Sequence, residues 1–292
     1  MTQPPQILTG IAPLAANYDG IMLDLWGTVH DGFKPLPGAL DAMAALKAQG
    51  ARILIISNAP RRSHSVVDKM DEVGIPQKLY DAVLSSGEAV HRALAKRDDP
   101  WHARLGSRVF LLAPEGDDSV LERLPLTRAE TLAAADFVVA VGSYRREETV
   151  ADYEDFLAEA LSHGLPMVCA NPDRVVLRGS KRETCAGAIV ERYAELGGDV
   201  YFHGKPHAPI YRLGLDLLGG LDPTKVLAIG DSLHTDVAGA SAAGIDSVFV
   251  AGGIYAEKLG VKPFEAPHPD KLAALYEAEG VVPLAAVPNF RW

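Results

Sequence analysis

The chain has 292 residues, with 28 Lys and Arg against 38 Asp and Glu, a formal net charge of −10. At 48% hydrophobic and 23% charged residues it is composed like a globular protein and not a disordered one, and its length predicts two domains or one core with a large insertion. The acidic balance opposes phosphate backbones and anionic lipid surfaces, which argues against nucleic acid and membrane as partners, while two cysteines, Cys169 and Cys185, make no disulfide framework and suggest a reducing compartment.

The first basic residue is Lys34, and Pro4, Pro5 and Gly10 interrupt the N-terminal apolar stretch, so a secretory signal is not expected. No run approaches the roughly 20 apolar residues that span a bilayer, and a cytoplasmic protein is the simplest expectation. Ile21 to Asp24 reads as a buried strand, followed by a helix over 37–50 with Leu40, Met43 and Leu46 on one face and Gly50 as its stop. Arg52 to Ser57 is the next strand and Ser63 to Gly74 the next helix. Further on, RVFLLAP, DFVVAVG and PMVCANP read as strands, and Thr149 to His163 as a helix with Val150, Tyr153, Leu157 and Leu161 on its apolar side. Strands Lys225–Asp231 and Ser247–Gly253 enclose a short helix, TDVAGASAAG. This alternation predicts an α/β fold: a Rossmann-like parallel sheet covered on both faces, with its ligand site at the carboxyl ends of the strands. The middle is long enough for its own core, giving a core over 1–84 and 202–292 and an inserted α/β cap domain over 85–201.

Chemistry-bearing residues fall at those strand ends. Asp24 ends the first core strand, Ser57 the second and Asp231 the strand KVLAIGD, and Lys205 begins the turn in HGKPH. A lone Asp at a strand end is commonly a helix cap and a lone Lys a solvated charge. Two acids, a hydroxyl and a lysine on one sheet edge instead suit magnesium-assisted phosphoryl transfer, with carboxylate oxygens for a hard cation and donors for a phosphoryl dianion. No G-x-G-x-x-G follows the first strand and no Walker lysine motif occurs, which argues against a nucleotide-binding Rossmann domain.

DLWGTVHDG, ILIISNAP, HGKPH and IGDSLHTD, in that order, resemble the four motifs of the haloacid dehalogenase-like superfamily. The wide gap between the second and third, with VVAVGSYRREETVADYEDF, ANPDRV and CAGAIVERYAE inside it, is similar to the subfamily with a large α/β cap typified by 4-nitrophenylphosphatase-like enzymes. The resemblance implies a phosphatase with Asp24 as the nucleophile that forms an aspartyl-phosphate. It assigns Gly27 the tight turn of the phosphate-binding loop and Thr28 a part in building it. Ser57, with the backbone N–H of Asn58, would bind phosphoryl oxygens, and Lys205 would hold Asp24 and the phosphoryl group by charge. Mg2+ would be held by Asp24, Asp231, Asp236 and the backbone carbonyl of Trp26. A small phosphorylated metabolite is the implied substrate, and a homo-oligomer assembled through the cap is an option.

The sequence departs from the family at Trp26, where the motif usually carries a second Asp that serves as general acid and base. Indole does not titrate near neutral pH, and general acid–base catalysis typically contributes ~10²–10⁴-fold. Three readings follow: a phosphatase with a relocated acid, His30 or Asp31 being nearest; an enzyme or phosphotransferase limited to good leaving groups; or a weakened metabolite-binding regulatory protein. His203, His207 and His234 could with His30 suggest a transition-metal site, but their spacing is no zinc signature; His207 or His234 could instead touch the substrate. Asn171-Pro172-Asp173 reads as a strand-ending turn, Cys185 as a small buried thiol, and Arg61 and Arg62 as either surface groups or ligands of a substrate anion.

Overall fold

Buried apolar runs too short for helices make the strands, and the amphipathic stretches between them make the covering helices. The computed structural model describes residues 6–178 and 181–292. In chain order the strands are β1 (Gln6–Ile7), β2 (Gly20–Leu23), β3 (Arg52–Ser57), β4 (Ala82–Ser85), β5 (Arg108–Leu112), β6 (Thr127–Arg128), β7 (Phe137–Ala140), β8 (Met167–Cys169), β9 (Val175–Arg178), β10 (Lys181–Thr184), β11 (Val200–Phe202), β12 (Val226–Gly230), β13 (Asp246–Val250) and β14 (Ala285–Val287). The chain divides into two compact units: one of Met1–Ser57, Val66–Leu84 and Lys205–Trp292, the other of Asn58–Ser65 and Ser85–Gly204.

The first unit carries a seven-stranded sheet in the order β1-β14-β13-β12-β2-β3-β4. Its pairings from β1 across to β3 are parallel. β2 and β12 lie centrally and are buried along their whole length, as a strand covered on both faces must be. One face packs Met22, Leu54 and Ala228 against Ile210 and Tyr211; the other packs Phe249 and Ala286 against Leu272, Leu275 and Tyr276. The second unit is also α/β, with a parallel sheet in the order β11-β8-β7-β5-β6 and a separate antiparallel pair, β9 and β10. This is the expected architecture, a Rossmann-like core with an inserted α/β cap. No described helix is long and apolar enough to cross a membrane.

One packing expectation is corrected. The segment after Thr149 winds first as a 3-10 turn, Val150–Tyr153, and then as an α-helix, Glu154–Ser162. Within that helix Leu157 and Ala160, three residues apart, face the core together with Tyr153, which leaves Leu161, on the other side of Leu157, 36% exposed. Cys169 and Cys185 are both buried free thiols. Burial pushes the Cys169 thiol well above its ordinary value.

Candidate active site

The carboxyl ends of β2, β3 and β12 bring the core residues together. Asp24 follows β2, Ser57 closes β3 and Asp231 follows β12, all at the end where a parallel sheet leaves its strands open. The backbone N–H of Asp24 donates to the carbonyl of Ile229 at 2.8 Å, so the pairing of β2 with β12 extends to the first site residue. Asp236 comes from a wide, π-helical turn, Leu233–Val237, which opens on the Ser232 cap. Such turns are uncommon and concentrate at functional sites. The buried hydroxyl of Tyr211 donates to the carbonyls of Thr235 and Asp236 at 3.0 and 3.3 Å and fixes this turn from behind. Sequence reasoning missed Tyr211, because a helical tyrosine gives no sign of which distant carbonyl it will meet.

Asp24, Asp231 and Asp236 are buried, and one carboxylate oxygen from each lies within 4.8 Å of the other two. Lys205, also buried, donates to Asp24 Oδ1 at 2.5 Å and to Asp236 Oδ1 at 2.6 Å. The second oxygen of Asp236 accepts from the N–H of Ser232 at 3.0 Å, and Asp231 Oδ2 accepts from the N–H of Ile254 at 2.8 Å. Gly27 has φ +80, and a Cβ there would stand 2.1 Å from Asp231 Oδ2. Only glycine allows both that conformation and that approach.

The electrostatics follow from crowding three acids around one cation. Burial alone would push the Lys205 ammonium down, but the charges of Asp236 and Asp24 outweigh it and hold the lysine well above its ordinary value. Burial, then the neighbouring Asp24 and Asp236 carboxylates, raise Asp231 well above the usual range. Asp236 is pushed up to about 7 by burial, against the pull of Lys205. Three acids against one lysine leave excess negative charge in a low-dielectric site. Clustered all-oxygen donors of this kind match a hard divalent cation such as magnesium and not a soft metal.

The loop after Asp24 is held internally. Gly27 N–H donates to the His30 carbonyl at 2.9 Å, and Trp26 bridges to His30 through the backbone. His30 is buried, its Nδ1 accepts from the N–H of Gly32 at 2.7 Å, and burial lowers its pKa. Neutral imidazole with Nδ1 so occupied carries its proton on Nε2. Asp31 Oδ1 accepts from the N–H groups of Phe33 and Lys34, each at 2.9 Å, and those bonds hold its carboxyl low. Thr28 is fully enclosed, and its Oγ1 has no hydrogen-bond partner among the described residues.

Other candidates belong to the second unit. The side chain of Asn58 donates to Asp173 Oδ1 at 2.8 Å, and Asp173 N–H in turn donates to Asn171 Oδ1 at 3.1 Å, so the Asn-Pro-Asp sequence is the expected side-chain-closed turn. His203 is buried with its Nε2 3.0 Å from His102 Nε2, whose Nδ1 lies 2.6 Å from Asp99. Arg61 makes a two-pronged pair with Asp117 at 2.8 and 3.0 Å, and Arg62 Nε donates to Glu88 at 2.6 Å. Of the two readings left open for these arginines, surface groups or ligands of a substrate anion, the structure adds a carboxylate partner for each. In the first unit, His234 is exposed on the π-helical turn, and His207 occupies the position before the helix Ala208–Leu217.

Residues 21–127 match the family model described as haloacid dehalogenase-like hydrolase, and residues 202–277 a second, HAD-hydrolase-like model. A solved haloacid dehalogenase-like hydrolase from Brucella suis is 31% identical, with a TM-score of 0.81 over 98% of this chain and 99% of that one. The 5'-nucleotidase YutF of Bacillus subtilis is 28% identical over 248 residues, 82% of this chain and 89% of that protein. The glycerol phosphate phosphatase of Mycobacterium tuberculosis, solved in complex with magnesium, is 25% identical with a TM-score of 0.65, covering 87% of this chain and 75% of that one.

Proposed function

The chain belongs to the haloacid dehalogenase-like hydrolase family, and from that premise we propose that it is a magnesium-dependent phosphatase that hydrolyses a small phosphomonoester through an aspartyl-phosphate on Asp24. The observation that carries this reading is the buried triad Asp24, Asp231 and Asp236 with Lys205 bonded to two of its members.

In the first half-reaction an Asp24 carboxylate oxygen attacks phosphorus, the bond from phosphorus to the ester oxygen breaks, and the leaving group takes that electron pair. In the second, water attacks the same phosphorus, the bond to Asp24 breaks, and phosphate leaves with the carboxylate restored. Lys205, with its pKa raised by two carboxylates, stays protonated through both halves and acts as a fixed charge beside the nucleophile. Ser57 would donate to the phosphoryl oxygens from the end of β3, joined by the backbone N–H of Asn58. Gly27 and Thr28 shape the loop around them. Asp24, Asp231, Asp236 and the main-chain carbonyl of Trp26 would hold the cation, since a tryptophan keeps that carbonyl. Bound magnesium supplies positive charge that offsets repulsion between a carboxylate and a phosphoryl dianion. Of the nearby groups, Asp31 accepts two backbone N–H bonds as a turn cap and His30 accepts one at Nδ1, so that a neutral His30 would offer only the weakly acidic Nε2–H in place of the family's second Asp.

Asp24→Asn is expected to abolish magnesium-dependent phosphate release while leaving the circular dichroism spectrum intact. Turnover equal to wild type in that variant would overturn the mechanism.

A further inference from the structure

Trp26 stands two residues after Asp24 with its side chain 38% exposed, unusual for a residue that is highly buried on average. The ring is nevertheless fixed. Gly32 lies directly against it, so that a Cβ there would come within 2.4 Å of Cη2, and His30 meets it edge-on with centroids 5.5 Å apart. The backbone beneath is held by the Gly27 to His30 hydrogen bond and by the Asp31 turn. An aromatic ring is thus seated on one side and exposed on another, two residues along the chain from the buried Asp24.

Two other apolar residues, one in the same loop and one whose backbone meets the site, are exposed as well. Ile254, 48% exposed, donates its N–H to Asp231 Oδ2, the same oxygen that Gly27, the neighbour of Trp26, closely approaches. Phe33, the next residue after Gly32, is 80% exposed. Trp26, Phe33 and Ile254 thus put exposed apolar residues on loops whose backbone meets the buried carboxylates, and apolar groups with a few fixed charges are the usual composition of a site for an organic ligand with one ionic end.

We infer that Trp26 is a stacking platform for the leaving group, and that the substrates are phosphomonoesters of planar, conjugated alcohols such as phenols. The inference rests on the phosphatase reading and sharpens it. Two independent features converge on one chemistry. The open ring favours a flat partner. Replacing the family's acid with indole removes the proton donor, so the ester oxygen must depart with its electron pair as an oxyanion and take its proton from water afterwards. Conjugation stabilises an aryl oxyanion, whereas an alkoxide has no such relief. Asp31 and the Nδ1 of His30 are already engaged by backbone N–H groups, and the Nε2–H left on a neutral imidazole is far too weak an acid to match a carboxyl.

The test compares 4-nitrophenyl phosphate with acetyl phosphate, which has a good leaving group and no ring, in wild type, Trp26→Ala and Trp26→Phe. The ratio of kcat/KM for the aryl ester over acetyl phosphate should fall about tenfold in Trp26→Ala, mainly through KM, and be largely restored by Trp26→Phe. Calorimetry adds a readout without turnover: wild type should bind phenylphosphonate more tightly than methylphosphonate, and Trp26→Ala should lose that preference. A ratio and a preference untouched by Trp26→Ala overturn the platform. If acetyl phosphate is still cleaved in an Asp24-dependent way, the phosphatase reading survives that failure. Absence of Asp24-dependent cleavage of either substrate, with the phenylphosphonate preference intact and Trp26-dependent, would instead sink the phosphatase reading and leave Trp26 as a platform for binding alone.

Discussion

Asp231 carries the sharpest conflict among the site residues. Its carboxylate is enclosed, close to two other acids, and receives a hydrogen bond from Ile254. Burial and its neighbours' charges raise its folded pKa far above the ordinary 3.8. Above that ordinary value the unfolded chain is ionised at no cost, and the metal-free fold must bear the charge or hold a proton. Metal-free stability is therefore expected to rise as pH falls from the raised value towards 3.8. Asp231→Asn removes the cost, because its amide oxygen can still accept from Ile254. Its metal-free Tm should exceed that of wild type by about 2–4 °C, the shift that about 1 kcal/mol produces in a chain of this size. Lys205→Met should do the reverse. It strips the cation from Asp24 and Asp236 and should cost about 3–5 kcal/mol by urea titration without metal, as expected when one partner of a buried pair is lost.

The helix Ser86–Lys96 organises the start of the second unit. Ser85 caps it by accepting from Glu88 N–H, and the Glu88 carboxylate takes Arg62 at 2.6 Å, Arg92 at 3.0 Å and the N–H of Ser63 at 3.3 Å. Burial opposes ionisation of Glu88, but the two arginines outweigh it and hold its pKa down to about 2, against an ordinary 4.5. A lowered folded pKa stabilises fully above the unfolded value, and the gain is lost as pH falls through the folded one. Glu88→Gln should thus cost about 2 kcal/mol at pH 6, with a smaller difference from wild type at pH 3, measured by urea midpoints. Periodicity and turn residues made the strands and helices legible, since they are local signals. Arg61 and Arg62 were not legible: Asp117 and Glu88 lie 56 and 26 residues away, and nothing in the local pattern selects them. The exposure of Leu161 was hidden likewise, because apolar spacing alone does not tell whether the core lies on the i+3 side of Leu157, where Ala160 is, or on the i+4 side.

At the scale of the whole molecule, the site was readable because a parallel sheet presents its strand ends together: Asp24, Ser57 and Asp231 each close a recognisable strand. The support was not readable. The Tyr211 anchor, the Gly27 approach to Asp231 and the seating of Trp26 on Gly32 depend on chain segments distant in sequence or on backbone angles that composition does not report. The same organisation sets how the protein should melt. All three acids and Lys205 belong to one unit, and the Glu88 cluster to the other. Multidomain chains need not unfold in one step, and a cation held only by the folded core stabilises that unit by RT ln(1 + [Mg2+]/Kd), about 2.7 kcal/mol at a hundredfold excess over Kd. Calorimetric scans are expected to show a core transition that rises with magnesium and a second transition that does not. Asp231→Asn should cancel the rise, and Glu88→Gln should lower the other transition alone. A single transition that magnesium and Glu88→Gln both shift would mean that the two units fold as one cooperative body.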